Sequence, residues 1–122
     1  MDKWEKKCKE LCREIVMSVG HCESSGKTFG LEQHHGLFKS SQRLKLNREL
    51  KYDPDLQFCL NDESHRENPD SPHKDNDKFL ASMIKAGGRT KYKARKIQKV
   101  NQGALIRKRP DFERVYLELK GE

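Results

Sequence analysis

Apolar residues are thinly spread along this chain, and their spacing divides it into segments. Trp4, Cys8, Leu11, Cys12, Ile15 and Val16 recur three and four residues apart between Lys, Arg and Glu, which predicts a helix over 2–18 with Gly20 as its stop. Turn residues follow, Ser24-Ser25-Gly26 and Gly30, and then Thr28 to His35 fits a short strand. Leu44, Leu46 and Leu50 mark 37–50 as either a short helix or a loop with an apolar underside. Pro54 fixes its own φ and disfavours helix before it, so Tyr52-Asp53-Pro54-Asp55 reads as a turn. Leu56 to Leu60 alternates as a strand does, and Asn61-Asp62-Glu63 supplies a cap and an acidic first turn for a helix bearing His65. Asn68 to Asp77 is polar and broken by two prolines. Lys78 to Ala86 predicts a helix with Phe79, Leu80, Met83 and Ile84 inward, ended by Gly87-Gly88. Phe112, Val115, Tyr116 and Leu119 share one face of a final helix over 111–120.

Composition narrows the class. Of 122 residues only 33% are hydrophobic and 37% are charged, so the core is thin, and a thin core calls for a staple such as a metal or a partner. A formal charge of +7 favours a polyanion. Nucleic acid ranks ahead of membrane, because no amphipathic anchor or apolar span is visible. The start, Met1-Asp2-Lys3-Trp4-Glu5-Lys6-Lys7, has no apolar run and does not read as a secretory signal. The expectation is a cytoplasmic protein whose four cysteines, Cys8, Cys12, Cys22 and Cys59, are thiols or metal ligands before they are disulfides.

The basic charge is concentrated. Between Lys85 and Arg109 lie ten cations and no acid: Lys85, Arg89, Lys91, Lys93, Arg95, Lys96, Lys99, Arg107, Lys108 and Arg109, with Tyr92, Ile97, Val100, Leu105 and Ile106 sparse among them. Such a run is either a solvated linker or an arm that contacts phosphates, and the second is the expectation here, with nucleic acid as the partner.

Four of the five histidines, His34, His35, His65 and His73, fall in the middle of the chain, and His21 stands apart as an ordinary surface residue. An adjacent pair such as His34-His35 has little use in packing. It serves where one imidazole holds a metal and its neighbour takes a proton, because neutral imidazole does both near neutral pH.

These segments, taken in order, resemble the HNH endonucleases, the ββα-metal nucleases of phages and mobile elements. The matching residues run from Cys22 to about Ile84. Cys22-Glu23-Ser24-Ser25-Gly26-Lys27 resembles the family's C-x-x-C-G turn, and Leu31-Glu32-Gln33-His34-His35-Gly36 its strand ending in His-His. Leu56-Gln57-Phe58-Cys59 followed by Ser64-His65 resembles its second strand and C-x-x-C-H helix start, and His73 after Pro72 matches a further histidine of some phage members. The resemblance implies an α+β fold: a small ββα-metal, treble-clef-like core over 21–86, with an N-terminal helix over 1–20 and the basic arm and C-terminal helix over 87–122. It implies a DNA endonuclease in which His35 is the general base, His34 and His65 hold one divalent ion, and His73 is a third ligand or a phosphate contact. Arg66 would steady the phosphate through a bidentate contact. Mg²⁺ is the implied ion, and histidine ligation also admits Mn²⁺, Ni²⁺ or Zn²⁺.

The chain departs from the family pattern in three places. Asp55 stands where a bracing asparagine is expected; Asp accepts the same backbone hydrogen bonds but cannot donate one, and Asn47 or Asn61 can take that role instead. Ser25 and Ser64 stand where second knuckle cysteines belong, and a serine hydroxyl is a poor zinc ligand, so no structural zinc is expected. Cys8 and Cys12, one helical turn apart, either join Cys22 and Cys59 in a four-thiolate site or pack in the core, and core packing is the expectation. The rival to an enzyme is a non-catalytic nucleic-acid-binding protein on a degenerate HNH fold. The two terminal helices each have a face to bury, against one another or in a homodimer.

Overall fold

The computed structural model describes residues 2–37, 42–67, 71–103 and 107–121. Phe38, residues 68–70 and the apolar pair Leu105 and Ile106 lie outside the described residues. The fold is mixed α+β, with one two-stranded antiparallel sheet among helices. Helix α1 (Lys3–Met17) leads to strand β1 (Leu31–His35). Helix α2 (Gln42–Leu46) and two 3-10 turns (Arg48–Tyr52 and Pro54–Leu56) fill the connection to strand β2 (Gln57–Asn61). A π-helical turn (Glu63–Glu67) comes next, then α3 (Asn76–Ala86), α4 (Gly88–Gln102) and α5 (Phe112–Leu119).

Local chemistry sets the ends of these elements. Asp2, Asp75 and Asp111 cap α1, α3 and α5, each accepting hydrogen bonds from free backbone N–H groups of its first turn. Gly87 and Gly88 both take positive φ, 77° and 59°, and this lets α3 stop and α4 start with no intervening loop. The strand expected from Thr28 begins only at Leu31, because Gly30 turns the chain with φ 63°. The expected helix after β2 is one π-type turn, with Asn61 Oδ1 accepting from Ser64 N at 3.0 Å.

The two strands pair with Gln33 opposite Cys59 and His34 opposite Phe58. Strand β2 is buried along its whole length, with a different core on each face. Phe58 and Leu60 pack with Cys22, Phe79, Leu80, Met83, Ala94 and Ile97 on the α3–α4 side. Cys59 packs with Cys8, Cys12, Val16, Tyr52, Phe112 and Val115 on the α1–α5 side. Burying one such aromatic or aliphatic side chain contributes about 1.5–3 kcal/mol, so the small sheet is held mainly by what lies above and below it.

The basic stretch is the main correction to the sequence reading. Residues 88–102 of it form α4, a helix that packs on the core through the fully buried Ala94 and Ile97. It also fits closely under the strand end. Gly36 N donates to Leu56 O at 2.7 Å, and a Cβ on Gly36 would come within 2.3 Å of Ile97 Cδ1 and 2.5 Å of Leu56 O. Only glycine fits directly after His35. Among the described residues, no helix is long and apolar enough to cross a membrane.

Candidate metal centre

Strand β1 projects Glu32 and His34 from one face, since side chains two apart in a strand share a side. The π turn after β2 carries His65 to that face, and the turn before α3 brings His73. Their ring nitrogens converge. His34 Nδ1 lies 3.0 Å from His65 Nε2, and His73 Nε2 lies 2.8 Å from the same atom. One potential ligand atom from each of the three histidines lies within 4.8 Å of the others. His34 and His65 are buried and His73 is exposed, so the cluster opens to solvent on one side. It forms part of the wall of a cavity of about 360 Å³, lined also by Gln33, His35, Leu37 and Arg66.

Burial, reinforced by the neighbouring His65, His73 and His35, pushes His34 down from 6.5 to about 3. Burial also lowers His65, against the opposing pull of Glu32. Both rings are therefore neutral near pH 7, the form that binds metal. Glu32 Oε1 accepts from His65 Nδ1 at 3.2 Å, which fixes the tautomer and leaves the His65 Nε2 lone pair facing the cluster. That lone pair can accept one proton, yet the nitrogens of two imidazoles, His34 Nδ1 and His73 Nε2, crowd it. A cation satisfies all three lone pairs at once. His65 Nε2 stands between the other two rings, within 3.0 Å of a nitrogen of each, and the three ligand atoms lie within 4.8 Å of one another. The donor set fits a metal ion.

His34, His65, His73, His35 and Arg66, all named from sequence, thus meet at one cavity. Arg66 sits at its rim, 61% exposed, with Nη2 3.5 Å from Glu32 Oε2. Asp55 does not line it: its carboxylate accepts from Arg89 and from Lys96, the latter at 3.3 Å. The neighbouring turn is braced by Asp53, whose Oδ1 accepts from Asp55 N at 2.9 Å. Glu32 is the residue that sequence reasoning missed. Its signal was its place two residues before His34, on the same face of a strand.

The knuckle positions also differ from expectation. Cys59 packs against α1, and it is the Asn61 backbone, not a second thiol, that hydrogen-bonds the Cys22 sulfur from β2. Burial alone would raise the Cys22 thiol, but hydrogen bonds from Ser25, the Asn61 backbone and Ser64 outweigh it and hold the thiol below its ordinary value. Cys22, Ser25, Asn61 and Ser64 thus close the turn by hydrogen bonding. Among the described residues, the histidine triad is the one gathering of three or more potential ligands, so the cysteines do not assemble a thiolate site.

The ten cations divide. Lys93 is buried and pairs with Glu23 at 3.0 Å, which removes it from any external surface and corrects its assignment to a nucleic-acid contact. Lys96 pairs with Asp53 at 2.9 Å, Arg89 with Asp55, and Lys108 with Glu49 at 3.2 Å. Lys85, Lys91, Arg95, Lys99, Arg107 and Arg109 are exposed and make no ion pair among the described residues. Comparison with known families, curated proteins and solved structures finds no match for this chain.

Proposed function

We propose that this protein is a metal-dependent endonuclease that hydrolyses phosphodiester bonds in DNA, in the manner of the HNH enzymes it resembles. The observation that carries the reading is the His34–His65–His73 cluster, with His35 lining the same cavity. A three-imidazole donor set suits a transition ion such as Mn²⁺, Ni²⁺ or Zn²⁺ ahead of Mg²⁺. A divalent ion bound there would supply positive charge to the scissile phosphate and to the departing oxygen.

His34, His65 and His73 would hold the ion, with Glu32 keeping His65 in the ligating tautomer. His35 accepts the proton of the attacking water as the water oxygen bonds to phosphorus. The opposite P–O bond breaks, and the leaving alkoxide takes a proton from solvent. Arg66, with most of its side chain in solvent, can turn from Glu32 to a phosphate oxygen.

The test is plasmid cleavage with Mn²⁺, Ni²⁺, Zn²⁺ or Mg²⁺, with an EDTA control, beside His35→Ala. Nicking or linearisation should require metal and fall by about 100- to 10,000-fold in the variant, the usual contribution of a general base. Cutting that survives in His35→Ala refutes His35 as the base. Binding without cleavage under every ion refutes the enzyme and leaves the degenerate binding protein.

A further inference from the structure

We propose that the outward ridge of α4, built from Lys91, Arg95 and Lys99 around Tyr92, grips the sugar–phosphate backbone of a DNA duplex. The proposal rests on the nuclease reading for its choice of ligand, and it concerns a surface apart from the histidine cavity.

The argument starts from how the cations of α4 are used. Three of them fasten the helix to the rest of the fold. Lys93 reaches Glu23, whose Oε1 also accepts from Cys59 N at 2.9 Å. Lys96 reaches Asp53 and Asp55 in the turn before β2, and Arg89 reaches Asp55. Lys91, Arg95 and Lys99 lie on the other side of the helix from Ala94 and Ile97; all three are exposed and without an ion pair among the described residues. They follow each other at i, i+4 and i+8, so they form one row of charges with a rise of about 6 Å per step. Tyr92, 51% exposed, stands beside that row with the Arg89 guanidinium 5.5 Å from its ring centre.

Three cations in a row, on a helix without any acidic residue, hold a strong positive potential that no ion pair among the described residues neutralises. A backbone bearing a regular line of phosphates is the complementary ligand. A membrane surface fits less well, because the ridge carries no apolar face beyond one tyrosine. The contact of Ile97 beneath Gly36 matters here. It fixes α4 to the strand end that presents His34 and His35, so a duplex seated on the ridge has a set position relative to the cavity.

The experiment measures binding of the full chain to a mixed-sequence DNA duplex in EDTA, as a function of salt, so that cleavage plays no part. Lys91→Gln/Arg95→Gln/Lys99→Gln is compared with wild type and with a charge-matched control on α1, Lys6→Gln/Lys9→Gln/Arg13→Gln. Glutamine keeps the helix propensity of the residues it replaces, and circular dichroism checks the fold. The slope of log affinity against log salt should fall by about 0.9 for each lost phosphate contact, about 2.7 for the ridge variant, and change little in the control. Equal slopes in the ridge variant and wild type overturn the proposal. Equal losses in both triple variants overturn it too, by showing diffuse charge attraction. Loss of binding to phosphatidylserine vesicles with duplex binding intact assigns the ridge to membranes and also overturns it. Failure of the nuclease reading is a separate result: duplex binding that maps to the ridge with no cleavage under any ion.

Discussion

Glu32 Oε1 and His65 Nδ1 stand 3.2 Å apart, and this one contact decides which nitrogen of His65 faces His34 and His73. Carboxylates behind ligating imidazoles raise ligand basicity and hold ring orientation, and their loss typically costs 10- to 100-fold in metal affinity. Glu32→Ala should therefore weaken Mn²⁺ or Ni²⁺ binding by about that factor in calorimetric titration. Glu32→Gln, which keeps an acceptor oxygen, should lose less. Metal affinity in Glu32→Ala equal to wild type would show that His65 needs no orienting partner.

The depressed pKa of His34 gives the metal-free protein a defined acid sensitivity. In the unfolded chain His34 takes up a proton near pH 6.5, whereas in the fold it resists protonation down to about 3. Between those values the unfolded state binds more protons, so stability is complete above pH 6.5 and drains as the pH falls. The loss is about 1.4 kcal/mol per pH unit for one such group, and the lowered His65 acts in the same direction. Urea midpoints in EDTA should fall from pH 7 to pH 5.5, and His34→Leu should flatten that fall. An unchanged slope in the variant would exclude His34 as its source.

Some of this was legible in the sequence and some was not, for physical reasons. Strand β2 and helix α1 could be read because their apolar residues keep the periods of two and of three to four. The histidines could be read because imidazole is costly to cluster without use. Helix α4 could not be read, since its buried arc has only Ala94, Ile97 and the half-buried Val100 as apolar members, with Lys93 as the fourth. Lysine reads as solvent-facing, and Lys93 is buried only because Glu23 meets it from 70 residues away. Glu32 was hidden for the same kind of reason: its partner, His65, is distant in sequence, so the carboxylate reads as a strand's polar face.

The four thiols should differ in reactivity despite equal burial. Burial, with Glu5 and other carboxylates adding to it, raises Cys8 to about 11, and burial raises Cys12 to about 12 even though Gln57 donates to its sulfur. Neither holds a useful fraction of thiolate near neutral pH, and the thiolate is the nucleophile. At Cys22 the hydrogen bonds to the sulfur outweigh burial and favour the anion. Iodoacetamide labelling of the native protein at pH 8, mapped by peptide mass, should be slow throughout and reach Cys22 first, with all four reacting in urea. Labelling of Cys12 ahead of Cys22 would contradict these environments.

The buried pair Glu23–Lys93 should be the most sensitive charge contact in the fold. The two side chains are 4% and 7% exposed, and Glu23 also receives the Cys59 N–H. Removing one partner of such a pair leaves the other charge buried and uncompensated, at a cost of about 3–5 kcal/mol, whereas exposed substitutions stay within about 0.5 kcal/mol. Urea unfolding of Lys93→Met should show the large loss, and Lys99→Met, six residues along the same helix, the small one. Adding Glu23→Gln to Lys93→Met removes the stranded charge and keeps an oxygen for the Cys59 N–H, so the double variant should recover stability relative to Lys93→Met alone. If Lys93→Met and Lys99→Met cost the same, the pair is not what joins α4 to β2, and the apolar contacts of Ala94 and Ile97 carry that junction by themselves.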